Sequence, residues 1–386
     1  MTISNGVTAI GNYAFDSCTS LKAVEIPSSL TTYDYAFKGC TGLTDVTIAN
    51  GATTISTGAF KGCTGLVVEI PTTVINVKDY AFAGTGFTSL TVPTTVTTWG
   101  EYVFSECASL SSINLNGVTT IGKYMFSNCS AITSLTIPSS LTGWDYGFSG
   151  CTGLATVVIA DGVSSIAQYG FGGCSSLANV TIPNSVTSIG SNAFQLCTSL
   201  QNITIPTTVK SIGAYAFSNC SGLISIEIPY GVTTIESNTF ASCTKLESVK
   251  IPTSVTSIGS YAFTTCSSLG SIKIPEGVKT IGQSAFANCS NLASVIIPST
   301  ITNNGIQMLA FSNCGNLKQI IIDSSVVANA LSGTGFRVCG GLIDNAQTIY
   351  INTNISNVNS YITSGYNKSS TIYTLDEKTY TEYTKK

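Results

Sequence analysis

The sequence predicts a solenoid of about fifteen stacked coils, each 22–25 residues long. First, an Ala-Phe pair with a Cys three residues after the Phe recurs along almost the whole chain. Second, most copies contain a short alternating β-branched segment that ends at a proline. Third, the 386 residues are 43% hydrophobic but only 9% charged, whereas globular domains carry about 25% charged residues. Thr, Ser, Asn and Gly therefore have to supply the surface. A globular chain of this length would usually split into two or three domains, but a repeat array escapes that limit because each coil packs only on its neighbours.

The phenylalanine column defines the coils. Its members are spaced 22 or 23 residues apart until the last two intervals, which are 25. They are Phe15, Phe37, Phe60, Phe82, Phe104, Phe126, Phe148, Phe171, Phe194, Phe217, Phe240, Phe263, Phe286, Phe311 and Phe336. Only Phe87 lies outside the column, where it replaces the usual leucine of a coil that also has Thr85 in place of Cys.

Each coil is predicted to contain one strand followed by turns. In the clearest copies, Leu246, Val249 and Ile251 alternate, and Pro252 ends the strand because it lacks an amide donor. Gly259 marks a turn. Strands repeated once per coil would form a parallel sheet with about 4.8 Å between neighbours. Trp99 and Trp144 replace residues of this apolar pattern, which indicates repacking of a filled interior.

This repeat pattern resembles the BspA-like class of leucine-rich repeats, which occur in cell-surface proteins of bacteria and protozoa. The resemblance covers residues 1–340 and implies a leucine-rich repeat solenoid with the parallel sheet on its concave face and mostly turns elsewhere. Residues 341–386 depart from the pattern and resemble the terminal segment that closes such arrays. We expect Tyr350, Tyr361, Tyr366 and Tyr373 to help cover the last coil, and residues 379–386 to be frayed.

The 14 cysteines all occupy one position of the repeat and lie at least 22 residues apart. Zinc sites need closer pairs. Cysteine is small, apolar and readily buried, so we interpret the column as interior packing by free thiols. Stacked neighbours would lie near disulfide distance, which leaves some bridges open, although parallel side chains disfavour the torsion of a disulfide.

Composition and motifs argue against several classes of function. The chain has no histidine, which removes Ser-His-Asp and Cys-His catalysis, and its carboxylates are dispersed over different coils. We therefore expect no enzyme, no catalytic residues, no metal and no cofactor. The 16 basic residues are scattered and the net charge is −3, which argues against nucleic-acid binding. No segment has the roughly 20 apolar residues of a membrane span, and none has the features of a signal peptide.

Ligand binding is predicted on the outward-facing strand positions, because the concave side of such arrays commonly receives partners. This column is acidic at first, then rich in threonine, then basic, then apolar. The apolar end of the column consists of two successive isoleucines, and exposed apolar residues at neighbouring positions indicate contact with another molecule or segment. The candidate site comprises Glu227, Lys250, Lys273, Ile296 and Ile321. The alternative is that the carboxy-terminal segment covers the isoleucines.

Three functional hypotheses follow. The family resemblance implies an extracellular or cell-surface module, expected to be monomeric, that binds host, matrix or microbial protein or glycan ligands. The uniform Ser/Thr face instead suits a passive spacer or surface-layer element that presents another domain. More remotely, regularly spaced threonines would match a repeating lattice such as glycan or ice.

Overall fold

The computed structural model describes residues 1–301, 305–323, 348–352, 366–375 and 378–385. Phe336, Cys339, Tyr361 and the proposed boundary at residue 340 lie outside them. The chain forms a parallel β-solenoid of about 13 turns, which confirms the predicted fold. Its described part contains strands and turns but no helix, and so no helix able to span a bilayer. The coils fall into two compact units, Met1–Val186 and Thr187–Lys386.

Unit 1 contains eleven strands among its described residues. They are β1 Ala23–Ile26, β2 Asp45–Ile48, β3 Thr54–Ile55, β4 Asn76–Val77, β5 Ser89–Thr91, β6 Thr98–Trp99, β7 Ser112–Asn114, β8 Ser134–Ile137, β9 Thr156–Ile159, β10 Ser165–Ile166 and β11 Asn179–Thr181. Strands of three or four residues follow the coil leucine and pair in parallel as β1–β2, β5–β7 and β8–β9–β11. A second, unpredicted ladder of two-residue strands runs β3–β4–β6.

Unit 2 repeats this arrangement and ends in longer strands. Its elements are β12 Ser188–Ile189, β13 Ser211–Ile212, β14 Ser225–Glu227, β15 Thr234–Ile235, β16 Ser248–Lys250, β17 Ser257–Ile258, β18 Ser271–Lys273, β19 Thr280–Ile281, β20 Ser294–Ile297, β21 Gln319–Ile322, β22 Thr348–Asn352, β23 Tyr366–Leu375 and β24 Lys378–Lys385. The sheet β14–β16 is separate from the larger sheet β18–β20–β21–β22–β24–β23, and the short ladders are β12–β13 and β15–β17–β19.

The long-strand sheet is therefore interrupted within each unit, whereas the sequence predicts a strand in every coil. In unit 1 no strand forms at residues 67–70, where Leu66 and Ile70 are four residues apart; Leu246 and Ile251 are five apart. The segment at residues 67–70 is thus one residue shorter. In unit 2 residues 201–206 also lack a strand, although their spacing is regular.

The predicted interior is confirmed for the described coils. From Phe37 to Phe311 every described member of the phenylalanine column is fully buried, and neighbouring rings stack with centroids 5.1–6.3 Å apart within each unit. Phe87 is also buried, as expected for a residue that replaces an interior leucine, and its ring packs edge-to-face against that of Phe82. Burying one large aromatic ring per coil contributes much of the hydrophobic stabilisation.

The cysteines add a hydrogen-bond ladder that the sequence does not reveal. Cys18 is exposed, and the other described cysteines are buried free thiols. In both units, the buried thiol donates to the carbonyl oxygen of the preceding coil's phenylalanine, as Cys151 does to Phe126 at 3.1 Å and Cys243 to Phe217 at 3.2 Å. Thr85 substitutes for a cysteine and donates within its own coil, to Phe82 at 2.7 Å.

The turn around each phenylalanine uses left-handed backbone at the positions two residues before and two residues after it. The first position often carries tyrosine, such as Tyr124 at φ 57°, and the second often carries glycine or asparagine. Gly259, predicted to mark a turn, does not have positive φ. Instead, a Cβ there would lie 2.7 Å from the backbone of Glu236 and Ser237, so glycine permits the close approach of two coils.

The carboxy-terminal strands close unit 2. β22 continues the parallel ladder beside β21, and β24 pairs antiparallel with both β22 and β23. The expectation of a frayed tail is wrong, because β24 buries Tyr380 and Tyr383. The hydroxyl of Tyr350 donates to Oε1 of Glu382 in β24 at 3.3 Å. The covering role expected of Tyr366 and Tyr373 stays a prediction, because their side chains lie outside the described part of the chain.

Candidate functional site

The outward-facing residues of the long strands form a surface that we call the strand face. Strand geometry turns every second side chain away from the core. The predicted outward column is exposed at each described position from Glu25 to Thr181 in unit 1 and from Thr204 to Lys273 in unit 2. Its members other than charged residues are mostly threonines, so hydroxyl groups dominate its chemistry.

Three of the predicted site residues lie on the exposed strand face of unit 2. Glu227 and Lys250 are register partners in β14 and β16, and Nζ of Lys250 donates to Oε1 of Glu227. Their side chains are 67% and 74% exposed, so this ion pair contributes little to stability. Both groups are therefore accessible to a ligand. Lys273 is exposed in β18, the long strand of the following coil.

The two isoleucines require a correction. Ile296 pairs with Lys273 and with Ile321 in the parallel register, which brings the three together as predicted. However, Ile296 is half-buried and Ile321 is only 4% exposed. Tyr350 of β22 is the register partner of Ile321 on its other side. The expectation of an exposed isoleucine pair is thus wrong, and the alternative that the carboxy-terminal segment covers them holds for Ile321.

A groove at the interruption of the unit 2 sheet is a feature that the sequence analysis missed. It has a volume of about 520 Å³. We call it the Tyr230 groove; it is lined by Asn202, Ile203, Thr204, Ile205, Thr207, Ser225, Glu227, Pro229 and Tyr230. Residues 201–206 form no strand beside β14, and the groove lies along this part of the strand face.

Tyr230 is the distinctive residue of this groove. Its side chain is 69% exposed, and it directly follows the proline that ends the strand. In other coils of unit 2 the residue at this position is small or polar, namely Thr207, Thr253, Glu276 and Ser299. This departure from the repeat is visible in the sequence, and it could have indicated the site.

A comparable groove in unit 1 lacks an exposed aromatic ring. It measures about 440 Å³ and is lined by Val67, Val68, Glu69, Ile70, Phe87, Ser89, Leu90, Thr91 and Pro93. Phe87, the only aromatic residue of its described lining, is 2% exposed and belongs to the interior. A carboxylate is therefore common to both grooves, whereas an exposed ring is present only in the Tyr230 groove.

Three of the buried thiols, those of Cys63, Cys151 and Cys243, are unsuited to nucleophilic chemistry. Burial raises the pKa of Cys63, Cys151 and Cys243 to about 12. The reactive form of cysteine is the thiolate, which is scarce at neutral pH in such a site. Among the described residues, no group of three or more Cys, Asp or Glu side chains is placed to hold a metal ion.

Comparisons with known proteins place this geometry in a family. A model of the BspA type leucine rich repeat region matches residues 1–66, 31–146, 144–270 and 256–383. A leucine-rich repeat protein from Bacteroides ovatus has a solved structure with 28% identity and a TM-score of 0.66, covering 82% of each chain. A leucine rich cell surface protein from Faecalibacterium prausnitzii is 28% identical, covering 91% of this chain and 86% of that one, with a TM-score of 0.39.

No protein of curated function matches the chain. The family match nevertheless spans almost its full length and includes part of the predicted cap. The Bacteroides ovatus structure supports the same solenoid independently. The repeat pattern, the stacked coils and these matches agree: the chain belongs to the BspA-type leucine-rich repeat family.

Proposed function

We propose that this protein is a non-catalytic interaction module of a cell surface, which binds an extracellular protein or glycan ligand through the strand face of unit 2. The observation that carries the proposal is the exposed charged group formed by Glu227, Lys250 and Lys273 on an otherwise hydroxyl-rich surface. Exposed charges on a rigid sheet favour specific encounter with a complementary surface. The Glu227–Lys250 ion pair is exposed and contributes little to folding.

The location at a cell surface is supported by family membership and by the Faecalibacterium prausnitzii relative, which is described as a cell surface protein. The absence of histidine from the sequence and the raised pKa values of Cys63, Cys151 and Cys243 support a non-catalytic role. Repeat arrays bury each coil against its neighbours within one chain, so we expect the module to act as a monomer.

A binding screen against extracellular matrix proteins, host surface proteins and glycans tests the proposal. We expect a ligand whose affinity falls at least tenfold, roughly the loss of one good polar contact, in the double variant Lys250→Glu with Lys273→Glu. Lys123→Glu is the matched control, because Lys123 is an exposed lysine of unit 1 away from the strand face.

The spacer hypothesis gives the opposite result. A passive spacer or surface-layer element would bind none of these ligands, and charge reversal of Lys250 and Lys273 would change nothing measurable. Circular dichroism of each variant shows whether the fold is retained. Binding that is equally strong in the folded double variant would exclude the proposed face.

A further inference from the structure

We propose that the Tyr230 groove is a binding site for a neutral saccharide. This inference rests on the proposed function and names a ligand class for a second part of the same strand face. The volume of about 520 Å³ lies within the range of about 300–1,000 Å³ that is usual for small-ligand sites. That volume accommodates one or two sugar rings rather than a folded partner.

The lining residues match the two faces of a sugar ring. A pyranose has an apolar face of C–H groups and a rim of hydroxyls, so it needs an aromatic surface beside hydrogen-bonding groups. Tyr230 offers the aromatic surface, since 69% of it is exposed, and Pro229 and Ile203 extend the apolar lining. Tyrosine supplies such contact area with a small loss of side-chain conformational entropy.

The polar lining suits hydroxyl groups rather than ions. Asn202, Thr204, Thr207 and Ser225 line the groove and are exposed. Their amide and hydroxyl groups both donate and accept hydrogen bonds, as sugar hydroxyls do. Oε1 of Glu227 already accepts from Lys250, so Oε2 is the carboxylate oxygen through which a ligand hydroxyl would bond.

Charge selects among saccharides. Among the described residues, Glu227 is the only charged one that lines the groove. Lys250 already pairs with this carboxylate, and none of the described lining residues is a lysine or arginine that could pair with a sulfate, phosphate or carboxylate of a ligand, so an acidic sugar gains no ion pair in the groove. The groove is therefore expected to prefer neutral saccharides over acidic ones.

The groove lies where the sheet is interrupted. A fully paired ladder would set residues 202–205 beside β14 at normal strand spacing and leave a shallow pleated surface. The unit 1 groove shows that an interruption alone does not provide the aromatic platform, because Phe87 is buried there. We assign saccharide binding to the combination of the interruption with Tyr230.

Titration of the full chain with neutral oligosaccharides built from glucose, galactose, mannose or N-acetylglucosamine, and with sulfated and sialylated counterparts, tests the inference. We expect saturable binding of a neutral member. Tyr230→Ala should weaken it at least tenfold, roughly the cost of removing an aromatic anchor, and Tyr230→Phe should retain it. Glu227→Gln should weaken neutral binding but relieve the exclusion of acidic sugars. Thr253→Ala, at the equivalent position of the next coil, should leave binding unchanged.

Three outcomes would overturn the inference. These are the absence of neutral saccharide binding, equal binding by folded Tyr230→Ala, and a preference for acidic sugars in the wild-type chain. A protein ligand that is lost in Tyr230→Ala while no saccharide binds would assign the groove to a protein partner. In that case, or if matrix-protein binding remains sensitive to charge reversal of Lys250 and Lys273, the interaction-module function stands without the saccharide site.

Discussion

Nζ of Lys378 lies 2.9 Å from Oδ2 of Asp323, which links the last strand of the chain to a residue 55 positions earlier. The same ammonium donates to Oε1 of Glu276 at 2.9 Å. Hydrogen bonds to Asp323 and Glu276 raise the pKa of Lys378, so it stays charged throughout the neutral range. This ion-pair network links β24 to the preceding coils of unit 2.

Replacing Lys378 with methionine should loosen the carboxy-terminal strands. The Asp323 side chain is 6% exposed, whereas that of Lys378 is 39% exposed, so the contribution is larger than that of a surface pair but reduced by solvent. We expect a loss of about 1 kcal/mol in the local stability of β24. Amide hydrogen exchange in β22 and β24 measures it, with Lys368→Met on β23 as the control. Unchanged exchange would contradict this linking role.

The native protein should resist thiol modification at every described cysteine except Cys18. Cys18 is exposed, whereas the others are buried, and burial raises the pKa of Cys151 to about 12. Alkylation at neutral pH followed by peptide mass spectrometry should label Cys18 alone among them, and unfolding in denaturant should expose the rest. Rapid native labelling of Cys151, or its recovery in a disulfide, would contradict the buried ladder of free thiols.

Stability should decline as the solution becomes alkaline. A folded-state pKa of about 12 for Cys63, Cys151 and Cys243 exceeds the value of about 8.5 expected in the unfolded chain. The unfolded state therefore loses protons first, and stability is lost between about pH 8.5 and pH 12. Each such thiol contributes a slope of up to about −1.4 kcal/mol per pH unit.

Chemical denaturation at a series of pH values between neutrality and the alkaline range measures this slope. The variant Cys151→Ala supplies the control, because it removes one titrating group and should flatten the slope by that group's share. The variant is also expected to lose about 1 kcal/mol of stability at neutral pH, since the bond from Cys151 to the Phe126 carbonyl disappears. A wild-type stability that does not change with pH in this range would refute the expectation.

Glycine should be tolerated better than alanine at Tyr124. This residue has φ 57°, and its ring lies between those of Tyr102 and Tyr146, with centroids 4.6 and 4.5 Å away. Both substitutions remove the ring contacts, but only alanine retains the cost of left-handed backbone. We therefore expect Tyr124→Gly to be more stable than Tyr124→Ala by about 1 kcal/mol.

Thermal unfolding of the two variants and of Tyr124→Phe provides the comparison. The phenylalanine variant keeps the ring and should remain close to wild type. An alanine variant equal to or more stable than the glycine variant would show that backbone strain at this turn is not significant. The same measurement at Tyr230, which is not among the residues with positive φ, should show no such preference for glycine.

Most of the architecture could be predicted from the sequence because every coil has the same apolar residues to bury. An apolar column at a fixed spacing, such as Phe217 and Phe240, has to be buried against its copies, and a proline after each strand limits where pairing ends. The outward column from Thr204 to Lys273 follows from strand alternation alone. These results depend on periodicity, which a single sequence displays directly.

The tertiary structure decided which predicted surface positions remain accessible and where the sheet is interrupted. Ile321 has the pattern of an exposed residue, but a strand that follows it in the chain, β22, covers it. The tail predicted to fray is instead ordered by pairing with β22 and β23. Tyr230 differs in the sequence from the residues at the same position of neighbouring coils, but only the structure places it in a groove where residues 201–206 form no strand beside β14. Such contacts join segments that are distant in sequence, so a local sequence pattern cannot predict them.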